Sequence, residues 1–376
     1  MNIGIVCYPT HGGSGVVATE LGKELAMLGH TVHFISYQPP FRLERFQPNV
    51  YYHEVEMLGY PLFKYPPYTL ALINKIAELA EREKLDIVHA HYAIPHSFCA
   101  HLAREVLGES SRVRVVTTLH GTDITLVGND PSFKRITRFS IEKSDGITAV
   151  SYSLQEETQQ TFNVTKPVEV IYNFINTKRV FRLPGARQLI GCVPATGKVL
   201  VHVSNFRPVK RVPDVVAVFA KVRSEIDAKL LLVGDGVQRQ AAQAAVEQFG
   251  LQRDVLFFGV QDNVIPLLSA ADLFLLPSEK ESFGLGALEA MACCVPVIAT
   301  RTGGLPELVV HGETGYLAAV GDVDALADSA LQLLSDESLL RQMGEAARRR
   351  AVETFESELM VPQYEAFYRR VLAEGN

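Results

Sequence analysis

The sequence predicts an α/β protein made of two doubly wound, parallel-sheet domains of Rossmann-like type. Short β-branched runs alternate with amphipathic helical stretches along nearly the whole chain, the rhythm of repeated βαβ units whose strands are buried on both faces. That rhythm breaks once, at Asn173–Gly197 (NFINTKRVFRLPGARQLIGCVPATG), which is rich in proline, glycine and arginine and shows no periodicity. At 376 residues the chain is also longer than one core ordinarily supports.

Taken in order, NIGIVCY, TVHFISY, DIVHAHY, VRVVTTLHG and GITAVS read as strands of the first half, and Leu70–Lys84 is an amphipathic helix. KVLVHVSNF, AKLLLVGDG, VLFFG, DLFLLPS and VPVIAT read as strands of the second half. The linker is placed at the start of the break. Domains at 1–175 and 176–355 follow, with 356–376 a C-terminal helix expected to pack back on the first domain. Strands in both halves end in polar or glycine residues, so the chemistry is expected at the carboxyl ends of two facing sheets, in the cleft between them.

Composition narrows the function. Apolar residues make up 47%, charged residues 21%, and the net charge is -6, which excludes a nucleic-acid binder as the natural reading. The one dense basic run, Arg348–Arg350, lies in a helical pattern beside Glu345 and Glu353 and reads as a solvated helix face. No stretch of eighteen apolar residues occurs, and MNIGIVCYP lacks the basic start and length of a signal peptide, so no integral membrane segment and a cytoplasmic location are expected. The five cysteines (Cys7, Cys99, Cys192, Cys293, Cys294) have no CxxC spacing and read as small core residues, not as disulfides or zinc ligands.

Several stretches carry chemistry. CYPTHGGSGVVATELGKEL sets glycines between a strand and a helix, where backbone amides can meet a phosphate. VSNFRPVKR ends a strand and delivers Arg207 and Lys210; a forked guanidinium with a compact ammonium suits a diphosphate that gains charge as it leaves. A solvated loop is the plain alternative. In PSEKESFGLGALEAMACCVPVIA the amides of Phe283, Gly284 and Leu285 open a helix and point its positive end at the cleft. Glu281 and Glu289, eight positions apart, are too separated to share a proton, so they read as two hydroxyl acceptors, one for a sugar and one for a ribose. Otherwise both merely favour a helix N-terminal end.

TTLHGTDITL ends a strand with Thr118, His120, Gly121 and Asp123. A lone histidine is commonly structural, but His120 lies between a strand end and a glycine turn, which favours a functional role. HAHYAIPHS adds Tyr92 at another strand end with His89, His91 and His96 nearby; alternation sends His89 and His91 to one face, and no carboxylate completes a metal set. LLLVGDGV has the look of a nucleotide-binding turn, in which Asp235 reads equally as a plain turn residue. A nicotinamide-dependent oxidoreductase would carry GxGxxG and an acidic end to the second strand, where this chain has HGGSGVVA and HFISYQPP. A non-catalytic sugar-binding module would not need Arg207, Lys210 and two glutamates together.

GGSG near the amino terminus, RPVKR opening the second domain, and Glu281 with Glu289 around SFG resemble, in that order and over nearly the whole chain, the retaining nucleotide-sugar-dependent glycosyltransferases of family GT4, which have the GT-B fold. GYPLFKYPPYTLAL (Gly59–Leu72), HAHYAIPHS, LHGTDITLVG and VIYNFIN closely resemble members that make GlcNAc-α-malate, the first step of bacillithiol biosynthesis. The resemblance implies UDP-N-acetylglucosamine as donor, held by the second domain, and the hydroxyl of L-malate as acceptor, held by the first. It implies that Gly15 approaches the donor diphosphate, that Arg207 and Lys210 clamp it, and that the 283–285 amides also serve the donor. Glu281 falls to the donor sugar hydroxyls, Glu289 to the ribose, and His120 to the sugar beside its anomeric carbon. Ser14, Tyr92, Thr118 and Arg138 fall to the acceptor, the last three matching positions where a mycothiol-making relative holds an inositol phosphate. Arg138 would meet a malate carboxylate, although Glu142 lies at the spacing of a surface helix pair.

Cys294 stands where relatives carry glycine, and Gly286 lies inside the helix start. No Asp or Glu in the matching loops is an obvious nucleophile, Asp123 being the nearest, so a same-face route is expected in which the leaving UDP oxygen takes the malate proton. With no DxD pair at a strand end, neither a metal nor another cofactor is expected. The alternative within the family is an enzyme acting on a polysaccharide or lipid; no basic or amphipathic membrane face supports it. Oligomeric state is left open, a homo-oligomer included.

Overall fold

The structure is a computed structural model. It describes the chain except residues 11, 44–45, 58–66, 110, 127, 129, 192, 194–195 and 375–376. Most of the Gly59–Leu72 motif, and Cys192, therefore lie outside the described residues.

The chain divides into one unit comprising Met1–Tyr172 with Glu358–Asn376 and a second comprising Asn173–Ser357. The first is built on β1 (Asn2–Val6), β2 (Thr31–Ser36), β3 (Val50–Glu54), β4 (Ile87–His91), β5 (Arg114–Leu119), β6 (Gly146–Ala149) and β7 (Glu169–Val170). They form one parallel sheet in the order β3-β2-β1-β4-β5-β6-β7. The second is built on β8 (Lys198–Val203), β9 (Ala228–Val233), β10 (Val255–Gly259), β11 (Leu273–Leu276), β12 (Val297–Thr300) and β13 (Gly315–Ala318), parallel in the order β10-β9-β8-β11-β12-β13. Each sheet reverses its winding once, between β1 and β4 and between β8 and β11. Such a switch point opens a crevice beyond the strand ends.

Helices cover the sheets with apolar faces. Leu72, Ile76 and Leu79 of the helix Tyr68–Arg82 meet Val88 and Val115 in the first unit. Val215, Val216, Phe219 and Val222 of the helix Val212–Glu225 meet Leu230 and Leu232 in the second. Each fully buried side chain of this size stabilises by about 1.5–3 kcal/mol. The helix Ser357–Ala373 belongs from Glu358 onward to the first unit and buries Tyr364 and Tyr368 completely. Glycine at 146 lets it approach, since a Cβ there would lie 2.7 Å from the Phe367 ring.

The basic run corrects the sequence expectation. Only Arg349 is exposed. Arg348 donates to the carbonyls of Val180, Thr177 and Ala292, and Arg350 to those of Leu308 and Glu307. Thr177 and Val180 lie in a loop, and Ala292, Glu307 and Leu308 end helices, where carbonyls lack an intrahelical partner, so the guanidiniums tie the helix Glu337–Phe355 to its neighbours.

Candidate active site

The first unit gathers its polar side chains at the β1/β4 switch. Beyond β1 the chain enters the helix Gly13–Met27 through the glycine turn. Glycine is needed at 15 because a Cβ would lie 2.7 Å from Thr10 O and 2.8 Å from Tyr8 O. Its amide donates to Gly12 O at 3.1 Å. Ser14 Oγ bonds Tyr92 OH at 2.7 Å and so joins the loop after β1 to the loop after β4. Tyr92 has φ +103° and ψ 138°, a region a tyrosine occupies at a cost of about 1–3 kcal/mol. Its amide donates to Thr118 O and its carbonyl accepts from Ser97 N, which hold it there. The ring sits edge-on to Tyr8 at 5.6 Å and 5.4 Å from that of His120.

Alternation along β4 does put His89 and His91 on one face, with ring centroids 4.3 Å apart. His91 stacks on His120 at 5.1 Å, and His91 Nδ1 lies 2.9 Å from His120 Nε2. Burial pushes His89 and His120 down to about 3, His96 to about 4 and His91 well below the ordinary imidazole value; neighbouring histidines add to the shift of His89, His91 and His120. The cluster is neutral at physiological pH. Among the described residues no group of three or more side chains is arranged to hold a metal.

Thr118 differs from its expected place in an acceptor site. It is buried, and its Oγ1 lies 2.6 Å from both His89 Nε2 and Thr148 Oγ1. Cross-strand register explains this, because Thr118 pairs with Thr148 on β6, and same-face neighbours satisfy one another. Asp123 is a brace: Oδ2 accepts from Ala93 N (2.9 Å), Oδ1 from Gly121 N (3.0 Å) and His120 N (3.3 Å). Burial raises its pKa to about 6, and those backbone bonds oppose the rise. Arg138 is exposed on the helix Lys134–Lys143 and is not paired with Glu142, whose carboxylate takes Thr165 N at 2.7 Å.

The second unit repeats the pattern at the β8/β11 switch. Beyond β8, Arg207 is exposed and caps the short turn Pro208–Lys210. Lys210 Nζ lies 2.5 Å from Glu281 Oε2, their side chains 18% and 14% exposed, so an ion pair joins the loop after β8 to the loop after β11. Ser278 Oγ also approaches Glu281 Oε2, at 3.4 Å. The Glu281 carbonyl accepts from Gly304 N, and Gly303 packs so close that a Cβ would lie 1.9 Å from it. The helix Leu285–Ala292 follows, capped by Gly284 at φ +102°. Its first amides have no acceptor within the helix. Phe283 turns its ring inward against Phe355, leaving its backbone at the turn, and Glu289 is buried on the helix. Gly286 packs against the end of β8, 3.4 Å from Val203 O at its Cβ position. Asp235 accepts from Gly236 N and Arg239, as a turn residue does.

The model described as glycosyl transferases group 1 matches residues 192–350, and that described as glycosyltransferase family 4 matches residues 11–179. N-acetyl-alpha-D-glucosaminyl L-malate synthase of Bacillus anthracis is 54% identical over 376 residues, covering 100% of this chain and 98% of that one. The chain belongs to glycosyltransferase family 4. Its fold is GT-B. Sucrose-phosphate synthase from Thermosynechococcus elongatus superposes with a TM-score of 0.82 at 24% identity, covering 100% of both chains. Anabaena Alr3699/HepE, solved with UDP and glucose, gives 0.83 at 21%, covering 97% of this chain and 98% of that one.

Within this glycosyltransferase, the structure joins Ser14 to Tyr92 and Lys210 to Glu281, sets Tyr92 beside His120, and leaves Arg138 and Arg207 exposed. Sequence reasoning missed four contributors. Tyr8 and His202 were readable from strand ends and alternation; His202 bonds Leu275 O and Ser204 Oγ, both at 2.8 Å. Thr148 needed the strand register. Tyr368 bonds His89 Nδ1 at 2.8 Å from 279 positions away, and no local signal announces it.

Proposed function

We propose that this enzyme transfers N-acetylglucosamine from UDP-N-acetylglucosamine to the hydroxyl of L-malate with retention, giving GlcNAc-α-malate and UDP, the first step of bacillithiol biosynthesis. The observation that carries this reading is the 54% identity over the full chain to the Bacillus anthracis synthase. The second unit serves the donor. Arg207 and Lys210 neutralise the diphosphate, and the first amides of the helix Leu285–Ala292 add their partial positive charge. The Lys210–Glu281 pair exchanges partners on binding: the ammonium turns to the diphosphate, and the freed carboxylate accepts from a sugar hydroxyl. Glu289 accepts from the ribose.

The first unit serves the acceptor. Ser14 and Tyr92 contact malate as a hydrogen-bonded pair, Arg138 receives a carboxylate, and Thr118 holds His89 beneath them. His120 stands beside the anomeric carbon. Asp123 has its oxygens committed to three amides, so it is poorly suited as a nucleophile. The leaving UDP oxygen takes the malate proton as the oxocarbenium-like state forms, and the fixed cations carry the departing charge. A coupled assay of UDP release with UDP-N-acetylglucosamine and a panel of acceptors tests the reading. Turnover on L-malate well above that on glycans or lipids is the expected result, and the reverse order rejects it.

A further inference from the structure

The contact between His91 Nδ1 and His120 Nε2, 2.9 Å long, holds one proton on one of two nitrogens. Its effect on catalysis rests on the proposed role of His120; the tautomer itself does not. If His120 Nε2 carried the proton, His91 would be protonated on Nε2. That atom is buried and has no hydrogen-bond partner among the described residues, so an N–H would be stranded. With the proton on His91 Nδ1, only a bare lone pair is stranded, which is the more tolerable orphan. His120 Nε2 is then the acceptor, and the neutral ring carries its own proton on Nδ1. His120 Nδ1 bonds no described residue and, unlike His91 Nε2, is not enclosed.

The stack is held so that this bond cannot easily reverse. His96 Nδ1 lies 2.6 Å from His91 O; a carbonyl only accepts, so His96 donates and fixes the backbone at His91. His89, whose ring packs 4.3 Å from that of His91, is bonded at both nitrogens, to Tyr368 OH and Thr118 Oγ1. We propose that His91 is a positioning residue that fixes His120 as its Nδ1–H tautomer, making the outer nitrogen a standing hydrogen-bond donor to a substrate oxygen.

Ring-nitrogen NMR of protein labelled at histidine, with His120 assigned by its loss in His120→Phe, tests the tautomer without substrate. Wild type is expected to show His120 protonated on Nδ1. His91→Phe, which keeps a ring in the stack but donates nothing, shifts the proton toward Nε2. His91→Asn, whose amide nitrogen falls near the lost Nδ1, restores it, whereas His91→Gln, whose amide reaches the Nε2 position, does not. In steady-state kinetics His91→Phe should lose about tenfold or more in kcat with little change in the KM for the nucleotide sugar, and His91→Asn should recover most of it. A wild-type His120 protonated on Nε2, or a His91→Phe spectrum like wild type, overturns the inference. A shifted tautomer with unchanged kcat instead removes His120 from the chemistry and overturns the site reading that names it. Should His91→Phe not fold, the contrast between the Asn and Gln variants decides alone: equal tautomers in the two refute it.

Discussion

Replacing Lys210 by Ala separates the two roles given to the Lys210–Glu281 pair. Without substrate, two unit charges with centres about 4 Å apart attract by about 4 kcal/mol at an effective dielectric near 20, and desolvation and side-chain ordering offset most of that. Because the side chains remain 18% and 14% exposed, the net loss should be about 1–2 kcal/mol, below the cost of breaking a fully buried pair. Lys210→Ala leaves the Glu281 carboxylate with Ser278 Oγ, 3.4 Å away. Glu281→Gln should cost about the same, and the double variant should fall short of the sum by about 1 kcal/mol in a cycle measured by urea unfolding. During turnover the missing ammonium matters more, because charge grows on the departing diphosphate. Lys210→Ala should therefore lower kcat by about a hundredfold, or about 2.7 kcal/mol. Steady-state UDP release reads that term. Strict additivity in the unfolding cycle, or an effect confined to KM, would refute the reasoning.

Three further outcomes are expected from the geometry. The buried histidines take up protons far less readily when folded than the ordinary value of 6.5, so the unfolded chain binds more protons below that pH and stability falls with acidification; Asp123, raised to about 6, opposes this with one group. His89, His91, His96, His120 and His202 outnumber Asp123, so stability falls as the pH drops from 6 to 5, each uncompensated histidine contributing up to about 1.4 kcal/mol per pH unit, and melting curves that are flat across that window contradict it. Cys294→Gly should stabilise by about 1 kcal/mol, since Cys294 sits at φ +59° where only glycine is unstrained; an unchanged or lower melting temperature counts against that account. Arg138→Ala should raise the KM for malate by about a hundredfold with UDP binding unchanged, and an unaltered KM moves Arg138 out of the site.

Most of the fold was readable because ten strands carry continuous apolar runs. The three that were missed, β3, β7 and β13, lie at sheet edges. There a strand is short, as at Glu169–Val170, or half exposed, as at Tyr51 and Tyr52, and its pattern fades into that of a loop. Two contacts between strand-end loops, Ser14 with Tyr92 and Lys210 with Glu281, join residues that the sequence singled out. A side chain's surroundings were not readable where they depend on pairing. Thr118 looks like a strand-end ligand until the register sets it opposite Thr148, and Arg348 looks solvated until its loop carbonyls are in place. Glycine at 15 suggested a ligand, while the structure supplies a nearer cause in the carbonyls of Tyr8 and Thr10. Cys294, at a position where the resemblance implies glycine, has φ +59°.

The central claim is transfer of one sugar to one acceptor with its anomeric configuration kept. The most direct measurement is proton NMR of the product formed from UDP-N-acetylglucosamine and L-malate, with EDTA in excess. The account predicts a single N-acetylglucosaminyl-malate whose anomeric proton shows the small coupling of an α linkage, formed at a rate that chelation leaves nearly unchanged. A β-linked product, or no sugar on malate while UDP is released to another acceptor, would contradict it.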